Sequence, residues 1–464
     1  MNHPSLPAAG HEILAASPPL WTLAPFALYL FLIAMIPLVA GHFWEKNRNK
    51  LIVAAIVSLP VIGYLILGAP GTSGVIWLAE SVQEYTAFMA LLLSLFVITG
   101  GIHLHGELAG TPVVNTAFLA TGAILANLIG TTGASLLLIR PLLRANEKRQ
   151  RRVHMVVFFI FIVSNGAGML TPLGDPPLFL GFLRGVPFFW AARLLGPWIF
   201  VNGSLLLLFS LVDNMMLRRE ERDQPPQVKA ELEAALRRPK EPLRILGGLN
   251  FLWLLGVIVV VYVSGAHADA ITHNPHLQAL FQIVGLLALA SVSYRLTPRA
   301  IHQANRFSWA PIIEVAAVFI GVFVTMVPAL RVLSAQGTSL GVIRPWQFFW
   351  ASGVLSSFLD NAPTYLTFAT LAVGVVNQLT GSTISPGHLA ALAAHPVGAT
   401  FLAAVSCGSV LMGANSYIGN GPNFMVKALA EEGKVRMPSF FGYMTWSVGI
   451  LIPLFIGVTF LFFR

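Results

Sequence analysis

"NTAFLATGAILANLIGTTGASLLLIRPLLRANEKRQRR" (115–152) decides how this chain is threaded. Residues 115–139 are apolar enough to enter a membrane, and 140–152 carry six Lys and Arg. Between them sits "ANLIGTTGAS" (126–135), a run of Asn, Gly, Thr and Ser where a crossing helix would be aliphatic. A segment of this kind either crosses the bilayer or enters it and returns. The charges on its two flanks choose between these, so the reading depends on the rest of the chain.

That the setting is a membrane follows from composition. The chain has 464 residues, 56% of them hydrophobic and only 10% charged, with a mean hydropathy of +0.75. A soluble domain carries about 25% charged residues. Apolar runs at 24–41, 51–69, 246–263 and 440–463 approach or exceed the roughly 20 residues that span a bilayer. The expected class is therefore an all-α polytopic membrane protein. "MNHPSLPAAGHEILAASPPL" at the start contains no Lys or Arg and so lacks the basic region of a signal peptide. The single cysteine, Cys407, leaves no intramolecular disulfide and no CxxC metal motif. The net charge of +9 belongs to cytoplasmic loops rather than to a nucleic-acid surface.

The basic residues give the topology. Of 28 Lys and Arg, 23 fall in 42–50, 140–152, 217–244, 295–306 and 427–436, whereas 70–84, 103–112, 265–276 and 379–396 hold none. The positive-inside rule places the first group in the cytoplasm. With the N-terminus outside, 24–41 goes in, 51–69 goes out and 85–102 comes in. The basic run 140–152 is then inside only if 115–139 returns to the side it entered, as a re-entrant hairpin. Segments 153–184, 188–216, 246–264, 277–294 and 308–327 alternate. The Lys/Arg-free stretch 379–396 is outside only if 345–378 also folds back, around "SSFLDNAPTYLT" (356–367). Segments 397–426 and 440–463 complete about ten spans and two hairpins.

Each hairpin is followed by an interrupted span: "SNGAGMLTPLGDPPLF" (164–179) and "SCGSVLMGANSYIGNGPNF" (406–424). "LGDPPLF" lies over "IGNGPNF", and Asn127 loosely over Asn361. Hairpins entering from opposite faces make this an inverted-topology repeat. The expected organisation is a tail (1–20), a first repeat (21–216), a cytoplasmic linker (217–244) and a second repeat (245–464). Irregular backbone at membrane depth survives only where protein or a water-filled cavity covers it, and in transporters it surrounds a midplane site.

"DNAPT" (360–364), "SNGAG…TPLGDPP" (164–177) and "GTTGAS" (130–135) together resemble the ion transporter superfamily, closest to NhaD-type sodium/proton antiporters and citrate-transporter-like proteins. The resemblance covers about 20–464. It implies two inverted repeats, a scaffold that forms a homodimer, and a transport domain that moves as an elevator. Dicarboxylate carriers of the group share a Ser-Asn-Thr signature at both hairpin tips. Neither tip carries it here, which argues against a dicarboxylate substrate.

Of 19 Asp and Glu, four lie in expected spans or hairpins: Asp175, Asp213, Glu314 and Asp360. A carboxylate there costs roughly 2.5–3.5 kcal/mol and is a functional candidate. Asp213 lies near the cytoplasmic charges and reads as an interfacial snorkelling group. Glu314, early in its span near Arg306, reads as structural. Asp175 and Asp360 sit at the breaks, where Asp either caps a half-helix or carries an ion or proton. Hard oxygen donors to complete a sodium shell are Asn127, Thr131, Thr132, Ser164, Asn165, Asn361, Thr364, Asn415, Ser416, Asn420 and Asn423. Weaker signals are a polar cluster at His103, His105 and Glu107, an amphipathic stretch "QVKAELEAALRR" (227–238), and Arg184 at the end of the first broken span.

The expected function is a secondary transporter exchanging sodium for protons, with citrate or another carboxylate, or an arsenite-type oxyanion, as alternative cargo. The site segments hold no Lys or Arg. An enzyme is not expected: "GTSLG" (337–341) fits GxSxG but lacks a strand–turn–helix setting. No cofactor is expected beyond the transported ions, and no nucleic-acid partner. The expected location is the cell inner membrane.

Overall fold

The computed structural model describes residues 18–44, 46–69, 72–106, 109–223, 244–266, 274–336, 341–385 and 389–464. The amphipathic stretch 227–238, Glu107 and most of "GTSLG" lie outside the described residues. Among those described, nine helices are long and apolar enough to cross a membrane, and the sheet is one antiparallel ribbon of β1 (His103–His105) and β2 (Arg244–Leu246). The protein is an all-α polytopic membrane protein.

The first three helices are α1 (Leu23–Val39), α2 (Asn47–Gly63) and α3 (Ser73–Gly100). Helix α3 begins twelve residues before the expected span at 85, so Glu80 and Glu84 ride on it rather than in a loop. Helix α4 (Pro112–Ala145) is continuous by hydrogen bonding, yet as a straight rod its 34 residues would reach about 51 Å, far beyond a bilayer core of about 30 Å. It is not straight. Gly130 has φ 76° and ψ 155°, a conformation closed to most L-residues. The two arms then run side by side. A Cβ on Gly122 would lie 2.9 Å from Leu138 Cδ1. Asn115 Nδ2 donates to Asn146 Oδ1 at 3.0 Å, and Asn146 Nδ2 returns a bond to Asn115 Oδ1 at 2.9 Å. In a straight helix those residues would stand about 46 Å apart. The segment expected to turn back at 115–139 is thus a helical hairpin, with longer arms.

The first broken span is α5 (Val153–Ile162), an irregular stretch, and α6 (Pro176–Leu183); α7 (Leu195–Asp223) follows. Then come α8 (Asn250–Ala266), α9 (Pro275–Leu296) and α10 (Ala310–Gln336). The second hairpin is α11 (Pro345–Ser356) and α12 (Asn361–Thr380), whose Phe348 and Phe368 rings meet at 6.2 Å across the turn. The second broken span is α13 (Pro396–Leu411) and α14 (Gly421–Glu432), and α15 (Phe440–Phe462) closes the chain. Proline at the first turn starts α4, α6, α11, α13 and α14, where its missing N–H leaves nothing unpaired.

Burial sorts these elements. Helix α5 is buried on every side from His154 to Ile162, and 78% of the α13 window is buried, against 22% for α1, α9 and α15. Breaks thus lie at the centre, shielded by helices that turn Leu, Ile and Phe outward. Helices α1, α2, α3, α8, α9 and α10 pack together; the hairpins, broken spans, α7 and α15 form the other group. The groups meet where α3 lies on α4 and α10 lies on α12.

Candidate transport site

The two half-helices that resume after the breaks start alike. Asp175 stands just before α6 at φ −147°, ψ 143°, and Asn420 just before α14 at φ −153°, ψ 139°, and neither side chain bonds the backbone of its own helix. The overlay of "LGDPPLF" on "IGNGPNF" thus has a matching backbone. The breaks leave carbonyls unpaired, and the span after each break supplies the donors from a side-chain pair four residues apart. On α7, Trp198 Nε1 donates to Ala167 O (2.9 Å) and Asn202 Nδ2 to Gly166 O (3.0 Å). On α15, Tyr443 Oη donates to Ala414 O (2.8 Å) and Ser447 Oγ to Asn415 O (2.7 Å). Sequence reasoning missed these four residues. A polar pair at i and i+4 in an otherwise apolar span is the signal that marks them.

Each hairpin tip is bonded to the break of its own half. At the first tip Thr131 N donates to Gly174 O (2.8 Å), and Thr131 Oγ1 to Asp175 Oδ1 (2.8 Å). Asn127 accepts from Leu170 N on its side chain (2.8 Å) and from Thr171 Oγ1 on its carbonyl (2.5 Å). At the second tip Ser416 Oγ donates to Ser357 O, and Asn415 Nδ2 to Ser357 Oγ (2.9 Å). Ser357, not singled out from the sequence, occupies the linking role there. Asn127 and Asn361 are not equivalent: Asn127 precedes its tip and serves its own half, whereas Asn361 follows its tip and serves the other.

The halves are joined at their polar centres. Asn361 Nδ2 donates to Asp175 Oδ2, linking the second tip to the first break. Asn165 Nδ2 donates to Asn423 Oδ1 (2.7 Å), and Asn420 Nδ2 to Ser164 O (3.1 Å) and Asn165 Oδ1 (3.2 Å). Ser164 Oγ also meets Ser135 Oγ at 2.8 Å. Asp360 caps α12 by accepting from Ala362 N (3.1 Å), and Thr364 Oγ1 donates back to its carbonyl (3.1 Å). Asp360 and Asn420 both lie within electrostatic range of Asp175.

Ten of the thirteen expected residues therefore fall into three sets. Thr131, Asp175, Asn361 and Asp360 gather at the tips. Ser164, Asn165, Asn420 and Asn423 bridge the breaks, and Asn415 and Ser416 hold the second tip. Thr132 lines a cavity of about 80 Å³ whose floor includes Asp175 and whose apolar wall includes Phe88, Leu92 and Phe96 of α3. No Lys or Arg lines it. Asp175 is 1% exposed, and its bonded partners are neutral. Asn361 Oδ1, on the side chain that donates to Asp175, is buried without a hydrogen-bond partner among the described residues, as is Asn415 Oδ1 at the second tip. Buried acceptors are normally paired, so such oxygens mark places where a ligand supplies what protein does not.

The remaining carboxylates depart from expectation. Asp213 does not snorkel: it is fully buried and bonded to Arg149 Nη1 (2.6 Å), His154 Nε2 (2.9 Å) and Asn115 Nδ2 (2.9 Å). Glu314 is structural, but its partner is the buried Lys50 Nζ at 2.7 Å, not Arg306. Arg184 ends α6 and pairs with Glu84 of α3 at 3.0 Å. His103 sits in the ribbon with Nδ1 2.7 Å from Asn305 Oδ1.

A family model described as "Putative citrate transport" matches residues 15–463. The chain belongs to this citrate-transport family. The match takes in both hairpins and both breaks, so the site described above lies wholly within the family's unit. With its membrane-crossing helices, membership makes the protein a multi-pass secondary transporter. A comparison with curated proteins finds no match.

Proposed function

We propose that transport is coupled to a cation at Asp175, and that the protein exchanges sodium for protons there. One observation carries this reading: a fully buried carboxylate, held by Thr131 of one hairpin and Asn361 of the other, has no cationic partner among the described residues. A charge at membrane depth without a counter-ion is retained for what it binds. Thr131 and Asn361 keep their bonds to the carboxylate, while the unpartnered Asn361 oxygen supplies a hard donor to a dehydrated cation. A cavity of about 80 Å³ holds two or three waters or one small ion. Proton and cation compete for one carboxylate, so the carrier crosses loaded with one or the other.

The two halves are inverted repeats in this reading, 21–216 and 245–464. The group containing the hairpins slides against the group of α1, α2, α3, α8, α9 and α10 as an elevator within a homodimer. The basic loops face the cytoplasm of a cell inner membrane with the N-terminus outside. Impermeant labelling of a single cysteine placed at 145, in a Cys407-free background, from the outer side alone would reverse that orientation.

A second reading is cation-coupled citrate carriage, favoured by the family description and by the meeting of the α6 and α12 N-termini, whose positive dipole ends attract anions. Proteoliposomes containing a trapped pH dye separate the two. Sodium-driven proton efflux without citrate supports exchange. Citrate uptake that requires a sodium or proton gradient, with no exchange in its absence, supports the carrier. Arsenite and lithium complete the panel.

A further inference from the structure

A second cavity, about 300 Å³ in volume, opens on the face that carries the basic loops. Its walls come from both helix groups. The C-terminal arm of α4 brings Arg140 and Arg144, four residues apart and so on one helix face. The segment before α10 brings Asn305 and Arg306, β1 brings His103, and Glu432 stands at the end of α14. Arg140 Nη1 donates to Asn305 O at 2.9 Å, and Arg144 Nη2 to Leu104 O at 3.1 Å. Each guanidinium has five N–H donors, so most of theirs remain unspent, and neither has a carboxylate among the described residues. Arg306 alone is paired, with Glu432. Arg144 and Arg306 are close enough to act on Arg140 as like charges. Three guanidiniums against one carboxylate, around one open volume, leave a net positive site that an anion would relieve.

We propose that this cavity binds a phosphate group, clamped by Arg140, Arg144 and Arg306. A planar carboxylate is satisfied by the fork of one guanidinium. Guanidiniums converging from two directions suit a tetrahedral oxyanion, which offers oxygens to several donors at once. The position at the edge of the membrane admits two sources of that chemistry, an anionic phospholipid headgroup or soluble phosphate. In either case the ligand ties hairpin α4 to the segment before α10, and so bridges the two helix groups. The site is independent of the coupling proposed at Asp175, and its test reads binding rather than transport.

The test follows the melting of the full chain by tryptophan fluorescence, since a ligand that binds the folded state raises its melting temperature. One arm, in detergent, compares inorganic phosphate with chloride at matched ionic strength. The other uses nanodiscs of phosphatidylcholine with or without phosphatidylglycerol. Wild type and the control Arg193→Gln, altered at an exposed site elsewhere, are expected to be stabilised saturably. Arg144→Gln, which removes an exposed side chain with one backbone contact and so leaves the fold intact, is expected to need about tenfold more ligand, equivalent to about 1.4 kcal/mol. The double variant Arg140→Gln/Arg144→Gln is expected to show no shift. A response in detergent identifies soluble phosphate as sufficient; a response only with phosphatidylglycerol identifies the lipid. No stabilisation of wild type in either arm, an equal effect of chloride, or an unchanged response of Arg144→Gln overturns the proposal.

Discussion

Replacing Asp175 with Asn separates what this residue does for the fold from what it does for transport. In the native site the carboxylate accepts from Thr131 Oγ1 at 2.8 Å and from Asn361 Nδ2. An amide fits the same space. Its oxygen accepts from Asn361, and its NH₂ donates to the Thr131 hydroxyl, which accepts as readily as it donates. Two charge-assisted bonds of about 1.5–3 kcal/mol each become neutral bonds of about 0.5–1.5, a loss on the order of 2 kcal/mol. Against this, a charge that costs roughly 2.5–3.5 kcal/mol at membrane depth is gone. The two nearly cancel, so the melting temperature stays close to the wild-type value. Cation binding has no such offset. Removing one member of a buried charge pair costs about 3–5 kcal/mol, or two to three and a half orders of magnitude in affinity. Calorimetric titration with sodium, and sodium-driven proton flux in proteoliposomes, are expected to fall to background in Asp175→Asn. Asp175→Glu keeps the charge but moves its oxygens, and retains part of the flux at altered affinity. A well-folded Asp175→Asn variant with wild-type sodium affinity and flux would refute the reasoning and leave Asp175 as a structural link between Thr131 and Asn361.

Asp360→Asn preserves the α12 cap, because Asn caps as well as Asp, and is expected to lower exchange without lowering the melting temperature; unchanged flux would make Asp360 a cap alone. Asp213→Asn removes the carboxylate shared by Arg149 and His154 and is expected to cost about 3–5 kcal/mol of stability, read as loss of folded protein rather than selective loss of flux. Glu314→Gln breaks the pair with Lys50, but the Glu314 side chain is 53% exposed; the expected result is normal flux with a stability loss of about 1 kcal/mol at most. Gly130→Ala places a Cβ at φ +76° and 3.3 Å from Leu173 O, at a strain of roughly 1–2 kcal/mol on the turn itself. Flux is expected to drop, and an intact flux would show that the first tip tolerates a shift.

Much of the fold was legible because it depends on local chemistry. Apolar runs, and the placement of 23 of 28 basic residues, were enough to expect two segments that turn back, and Gly130 and the Asn115–Asn146 pair are where the first one does. Gly and Pro in "LGDPPLF" and "IGNGPNF" marked both breaks, and the backbone angles at Asp175 and Asn420 match. Boundaries were less legible. The helix containing Glu80 and Glu84 begins at Ser73, ahead of the apolar run read as the span, because the polar residues from Glu80 to Glu84 interrupt its hydropathy without ending the helix.

The sequence by itself determined that the chain crosses a membrane many times, where it is interrupted, and which polar residues stand at the interruptions. These properties are set by the local cost of burying a side chain or leaving a backbone group unpaired, and both are written within a few neighbouring residues. Only the tertiary structure decided what each candidate carboxylate does. Asp175 meets Asn361 across 186 residues and finds no cation among the described residues, Asp213 meets Arg149 and His154 across 64 and 59, and Glu314 meets Lys50 across 264. In a low-dielectric interior a carboxylate's role is fixed by the partner that neutralises it, and hydropathy carries no record of partners so distant along the chain. Among the described residues Asp175 and Asp360 are left without a cationic partner, and Asp175, which joins the two halves, is the one on which the proposed function rests.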